Sequence, residues 1–262
     1  MDEDLDGWLH VAMALADAAD TVTMRHFGAI GLRRGAKEDG SIVTQADLEC
    51  ESRIRERLAE HAPDDVIQGE EQGGALDGDR WIIDPIDGTE NYSRGNVVWG
   101  TLIARTSAGR PAVAVVSAPA LGRRWWAVRD RGAFTTGGRR LRVSGVADPG
   151  EGTFCYGGLH EAPSPRDLAN VLTAGSRFRC AWGWGNFWGH IQVAEGVVDA
   201  ALSFGTQAWD VAAPVLVVQE AGGSWSDLSG SASLDGGAFL TSNGAVHTGV
   251  LSDLDMGYRA LA

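Results

Sequence analysis

Leu5, Trp8, Leu9, Ala12, Leu15, Ala16, Ala19 and Val22 recur at steps of three and four, which predicts an amphipathic helix with one buried stripe, ended by Gly28. A second helix is predicted from Thr44. Its hydroxyl caps while Asp47, three residues on, reaches back as in a capping box, and Leu48, Ile54 and Leu58 supply the buried face before Pro63 closes it. The grain then changes. Trp81-Ile82-Ile83 runs into an Asp/Gly turn, 97–104 and 112–117 are rich in β-formers, and 125–128 precedes the turn Arg129-Asp130-Arg131-Gly132. This predicts a meander of mostly antiparallel strands. Beyond Pro163-Ser164-Pro165, helical and strand-like stretches alternate over 166–173, 178–180, 187–195, 197–202 and 211–221, a layered α/β pattern. No internal repeat or long linker interrupts the chain. The expected organisation is an N-terminal α+β lobe over 1–150 and a C-terminal α/β lobe over 151–262, packed as one unit.

Composition narrows the function. With 262 residues, 44% of them hydrophobic, the chain can bury a real core, and disorder and coiled coil are excluded. Lys plus Arg number 22 against 35 Asp plus Glu, a net charge of −13, which argues against nucleic acids and anionic membranes as partners. An anionic substrate therefore needs local help, from a metal or a helix N-terminus. The three cysteines, Cys50, Cys155 and Cys180, form no C-x-x-C pair, which suits a reducing compartment and excludes a disulfide scaffold or a cysteine zinc site. The acidic start and the absence of a long apolar run lead to the expectation of a soluble, cytoplasmic protein.

The densest chemical signal is Trp81-Ile82-Ile83-Asp84-Pro85-Ile86-Asp87-Gly88-Thr89-Glu90-Asn91. A hydrophobic strand delivers two carboxylates, three residues apart across a proline-bearing turn, where they can converge. Pro85 fixes φ, Gly88 lets the backbone approach a ligand, and the Gly88 and Thr89 amides can open a short helix and meet an anion. Carboxylates beside an anion site imply a metal between them. Hard oxygen ligands without nearby Cys or His suit Mg²⁺ or Mn²⁺ rather than zinc. The plainer alternatives are a solvated turn here, a surface pair at Glu70-Glu71, and an N-cap at Asp210, which heads an apolar helix. The six histidines are scattered without an i, i+4 metal pair, and none is required by this chemistry.

Gly69-Glu70-Glu71, the 81–91 segment and Trp209-Asp210-Val211-Ala212-Ala213, in that order, resemble the hallmarks of the inositol monophosphatase superfamily of metal-dependent, commonly lithium-sensitive phosphomonoesterases. The resemblance covers essentially the whole chain, including Val43-Thr44-Gln45-Ala46-Asp47 and Glu220-Ala221-Gly222-Gly223. It implies an α-β-α-β-α sandwich, often a homodimer. Glu70, Asp84 and the Ile86 carbonyl would hold a first Mg²⁺, and Asp84, Asp87 and Asp210 a second. A third, weaker ion would sit near Glu70, and Mn²⁺ is a possible substitute. Thr89, itself held by Asp47, would orient the attacking water, with Glu70 among the catalytic groups, and the Gly88 and Thr89 amides would bind phosphate oxygens.

Within the superfamily the chain looks most like the actinobacterial histidinol-phosphate phosphatases, through 115–126 and 193–199. This implies a small-molecule phosphate ester as partner, histidinol phosphate first. The substrate segment would comprise Trp184, Gly185, Asn186, Phe187, Ser203 and Asp210. Two positions depart from the pattern: Asn186 stands where an acidic residue is usual, and Ser203 where the superfamily often places a glutamate. Ten tryptophans and the run Trp182, Trp184, Phe187, Trp188 offer aromatic faces for a substrate cation instead. Other readings are an inositol, sugar or aminocyclitol phosphate, a nucleotide or fructose bisphosphate, and a catalytically silent binding protein. Intact Glu70, Asp84, Asp87, Thr89 and Asp210 disfavour the last.

Overall fold

The computed structural model describes residues 4–37, 40–74, 76–234 and 236–259. They divide into two compact units, one up to Arg139 and one from Arg140.

In the first unit α1 (Leu5–His26) starts at Asp4, whose carboxylate accepts the Gly7 N–H, and buries the expected stripe of Ala12, Leu15, Ala16, Ala19 and Val22. A short antiparallel pair, β1 (Arg34–Ala36) and β2 (Ile42–Thr44), leads into α2 (Gln45–His61). The capping box at Thr44 and Asp47 is present as expected, and the helix ends before Pro63. Then follow β3 (Ile67–Gly69), β4 (Gly73–Gly74), β5 (Trp81–Asp87), α3 (Thr89–Ser93), β6 (Gly100–Ser107), β7 (Arg110–Ala118), β8 (Arg123–Val128), β9 (Gly132–Thr135) and the two-residue β10 (Arg139–Arg140). They form one sheet in the order β10-β9-β8-β7-β6-β5-β3-β4, antiparallel from β5 through β9 and between β3 and β4, and parallel between β3 and β5. Helices α1 and α2 cover it, burying Leu15, Cys50, Ile54 and Leu58 against Trp81, Ile83, Ile103, Val113 and Val115.

The strand predicted over 97–104 begins three residues late, at Gly100. Asn91 Nδ2 donates to the Val98 carbonyl at 2.8 Å, and Trp99 turns into a cluster with Phe27 and Tyr92, so 97–99 serve the turn after α3 rather than the sheet.

The second unit comprises β11 (Thr153–Gly157), α4 (Pro165–Ser176), β12 (Cys180–Trp182), α5 (Asn186–Ala194), β13 (Ala200–Thr206), α6 (Ala208–Glu220), β14 (Ser224–Asp227), β15 (Gly237–Ser242) and α7 (His247–Arg259). Its sheet runs β12-β11-β13-β15-β14, parallel across β12, β11 and β13 and antiparallel beyond. The strand expected over 197–202 starts later because Val197 and Val198 donate back to the Gln192 carbonyl, prolonging the helix end. Side chains alternate across the sheet. Leu202 and Leu240 pack on Val171 and Ala174 of α4 and Val250 of α7, whereas Phe239 packs on Val211 and Val215 of α6. Ser203 and Thr241 share the Phe239 face by register and receive α5.

Candidate active site

Every residue of β5 is buried, and the register of the β5–β6 pair shifts between Asp84 and Asp87. Such a bulge re-aims side chains that a regular strand would send to opposite faces. Pro85 occupies the irregularity. Its carbonyl accepts from Thr101 Oγ1 at 2.8 Å, which ties the turn to β6. As a result Asp84 and Asp87 offer carboxylate oxygens within 4.8 Å of each other, with Asp84 1% and Asp87 8% exposed. The Ile86 N–H donates to Asp84 Oδ1 at 2.9 Å and fixes that carboxylate. Gly88, at φ 89° and ψ 39°, makes the left-handed step that a side chain would strain and opens α3.

Asp47 meets this elbow from the head of α2. Its Oδ2 accepts the Thr44 N–H at 2.9 Å and the Thr44 hydroxyl at 2.5 Å, and its Oδ1 lies 3.0 Å from Thr89 Oγ1. Thr89 Oγ1 is also 3.0 Å from the Ile86 carbonyl. One hydroxyl carries one proton, so these two acceptors compete for it while the Thr89 lone pairs stay available. Burial pushes the Asp47 carboxyl above the usual carboxylate range, and the bonds from Thr44 and Thr89 act against that rise.

Glu70 and Glu71 follow β3, and Lys37 Nζ bridges them at 2.6 and 2.7 Å. Burial, with the Glu70 charge adding to it, pushes Glu71 up to about 7 despite Lys37. Burial opposes the Lys37 charge, yet the two glutamates outweigh it and raise its pKa. No sequence signal marked Lys37, which stands in a polar stretch indistinguishable from a solvated loop.

The carboxylates and carbonyl of this elbow fit a hard divalent cation. Buried like charges this close are costly without one, and the donors are all oxygen. Among the described residues neither histidine nor cysteine joins the group of metal-competent residues that contains Asp84 and Asp87.

In the second unit Asp210 is the third residue of α6 rather than its cap, and its Oδ2 accepts the Gln207 N–H at 2.6 Å. Gly185 caps α5, and Asn186 opens it at φ 61°, a conformation Asn tolerates better than most residues. The Cys155 thiol donates to the Trp184 carbonyl at 3.0 Å and anchors this segment. A Cβ on Gly157 would lie 2.7 Å from Gly185 Cα, 3.4 Å from Ser203 Oγ and 3.6 Å from Asn186 N, so β11, β13 and the head of α5 converge there. Trp184 is 36% exposed and stacks on Trp182 with centroids 5.7 Å apart. Phe187, expected in the substrate segment, is 2% exposed. Sequence reasoning passed over His190. It is fully buried in α5, with Nε2 2.9 Å from Ser203 Oγ and Nδ1 2.8 Å from Thr241 Oγ1.

A metal-competent carboxylate elbow on a layered α/β scaffold defines a class, the metal-dependent phosphoric monoester hydrolases. The chain belongs to the inositol monophosphatase family, whose pattern matches residues 4–257. A histidinol-phosphatase of Streptomyces coelicolor is 42% identical over 259 residues, covering 95% of this chain and 97% of that one. One of Mycobacterium tuberculosis is 43% identical over 255 residues, covering 95% and 98%. The solved structure of Thermotoga maritima IMPase matches with a TM-score of 0.85 at 28% identity, over 97% of this chain and 99% of that one. The fold is thus the α/β layered sandwich of the inositol monophosphatase type.

Proposed function

We propose that this chain is a cytoplasmic, homodimeric, Mg²⁺-dependent phosphatase that hydrolyses histidinol phosphate to histidinol, a step of histidine biosynthesis. The observation that carries this reading is the 42% and 43% identity, over 95% of the chain, to two histidinol-phosphatases. Glu70, Asp84 and the Ile86 carbonyl would hold one ion, Asp84, Asp87 and Asp210 a second, and Glu70 a weaker third, with Mn²⁺ as substitute. Bound there, the ions lower the pKa of a water and neutralise charge on the leaving oxygen. Asp47 holds the Thr89 hydroxyl so that Thr89 orients the attacking water. The Gly88 and Thr89 amides bind phosphate oxygens. Lys37 keeps Glu70 in place by charge pairing.

A second reading, an inositol or other polyol phosphate, is favoured by one observation: Ser203 and its partner His190 form a neutral wall where a carboxylate would suit a cationic alcohol.

Phosphate release from histidinol phosphate and inositol 1-phosphate, each with Mg²⁺ and with chelator, tests the proposal. We expect kcat/KM for histidinol phosphate to be higher by about tenfold or more and to vanish with chelator. That factor corresponds to one good hydrogen-bonded contact. The reverse preference would install the polyol reading. Light scattering in solution tests the dimer. At saturating Mg²⁺ the melting temperature should rise, by about 2.7 kcal/mol of stabilisation at a hundred times Kd, and Asp210→Ala should blunt that rise.

Among the described residues no helix is long and apolar enough to cross a membrane.

A further inference from the structure

Thr241, His190 and Ser203 form a hydrogen-bonded chain across the second unit, from β15 through α5 to β13. Phe239 stacks on the imidazole with centroids 4.0 Å apart. Burial with no facing carboxylate pushes the His190 pKa down to about 3, so near neutrality the ring carries one N–H and one bare nitrogen.

Which nitrogen holds the proton follows from Thr241. Its side chain is fully buried, and His190 Nδ1 is its one hydrogen-bond partner among the described residues. If Nδ1 carried the proton, the Thr241 hydroxyl proton would face no acceptor in a dry interior. An unmet buried donor of that kind disfavours the arrangement by about tenfold or more. With the proton on Nε2, Thr241 donates to Nδ1, Nε2–H donates to Ser203 Oγ, and the hydroxyl proton left over is that of Ser203, which at 8% exposure lies nearer solvent than the fully enclosed Thr241. The Ser203 proton then meets no acceptor among the described residues and is free to turn from His190 toward the convergence of Gly157 and Gly185, where Ser203 Oγ lies 3.4 Å from the position of a Cβ on Gly157.

We propose that Ser203 is a specificity-determining hydrogen-bond donor aimed by His190, a positioning residue, and that the leaving alcohol presents an uncharged acceptor atom there, such as an unprotonated ring nitrogen. The substrate half of this inference rests on the phosphatase reading above; the proton arrangement does not. The hydroxyl thus selects against an ammonium at that wall, and a cation on the same substrate has to be met elsewhere.

The first test is spectroscopic and uses the wild-type chain. Long-range ¹H–¹⁵N correlation with ¹⁵N-histidine, with His190 assigned by its loss in His190→Gln, should show a neutral ring protonated at Nε2. A ring protonated at Nδ1 overturns the proposal. The second test compares histidinol phosphate with its analogue in which phenyl replaces imidazole. Wild type should prefer the imidazole ester, and Ser203→Ala should reduce the ratio of the two kcat/KM values by about tenfold. His190→Gln, whose amide can still donate to Ser203, should keep most of that ratio, and His190→Leu should lose it. An unchanged ratio in Ser203→Ala overturns the proposal. If wild type turns over neither ester, the phosphatase reading fails instead, and the protonation pattern alone decides whether Ser203 is a donor.

Discussion

At the end of β5, Asp84, Asp87 and Asp47 crowd negative charge onto backbone held by a bulge, a proline and a left-handed glycine; around Ser203 the second unit offers an uncharged imidazole, two hydroxyls and indole rings. The first region is costly without a cation and is held by main-chain features, so small changes in charge should have large effects. The second is satisfied as it stands, and changes there should redistribute preference among alcohols. On the reading proposed above, reaction and choice of substrate are thus built from different physics in one chain.

The comparison breaks most sharply at Asp84. Replacing Asp84 by Asn removes one of the three buried carboxylates there while keeping its shape. We expect kcat to fall by about 10³ or more, since several kcal/mol of charge stabilisation is at stake. Without metal the variant should melt at the same temperature or higher, because repulsion with Asp87 is relieved. Turnover in chelator-cleaned Mg²⁺ would show that charge at the elbow is not what drives the reaction.

Asp47→Asn is the next step down. The amide can still face Thr44 and Thr89, but the charged acceptor is gone, so kcat should fall by about 10², in the range of a mispositioned proton-handling group, with KM nearly constant. The capping box also weakens, costing about 1 kcal/mol in urea unfolding. A rise in KM with kcat intact would move Asp47 from the reaction to substrate binding.

The two regions also differ in how far the sequence discloses them. Asp84, Asp87, Gly88 and Thr89 are neighbours in the chain, and their turn chemistry can be read locally. Asp47 was legible because its capping box is a local four-residue pattern, Thr44 to Asp47, although its bond to Thr89 spans 42 positions. Helix α1 was legible from its stripe. Strands β14 and β15 and helix α7 were not, since mixed polar residues and glycines there carry no clear period, and the strands are decided by tertiary pairing, β15 with β13 and β14 with β15. His190 was invisible for a similar reason. It joins Ser203 and Thr241, 13 and 51 residues away, and sits on α5 among apolar residues where a lone histidine gives no sign of its partners.

That buried histidine should make the second region acid-sensitive. Its folded pKa, about 3, lies below the unfolded value near 6.5, so between those values the unfolded chain binds the extra proton. The stability it contributes is present above about pH 6.5 and is lost as pH falls through that window. By pH 5 the loss should reach about 2 kcal/mol, at 1.36 kcal/mol per pH unit. His190→Gln should remove this part of the slope in denaturant titrations at pH 7 and pH 5. Parallel slopes for the two proteins would mean that the ring is not as dry as its surroundings indicate.

The smallest effect is expected at Trp184. The stacked Trp182–Trp184 pair is an exposed aromatic face able to meet an ammonium on the alcohol, while on the reading proposed above Ser203 serves the ring. A cation over an indole contributes about 0.5 to 2 kcal/mol, depending on how far water is excluded. Trp184→Ala should therefore raise KM for histidinol phosphate by roughly 3- to 30-fold with kcat little changed, the signature of binding equal in ground and transition states. The same substitution should matter less for an analogue lacking the amino group, because that ester presents no cation. Trp182→Ala, removing the ring behind Trp184, should have a weaker effect of the same sign. If the aminated and deaminated esters respond equally to Trp184→Ala, the indole acts through packing, and the ammonium is met by another group.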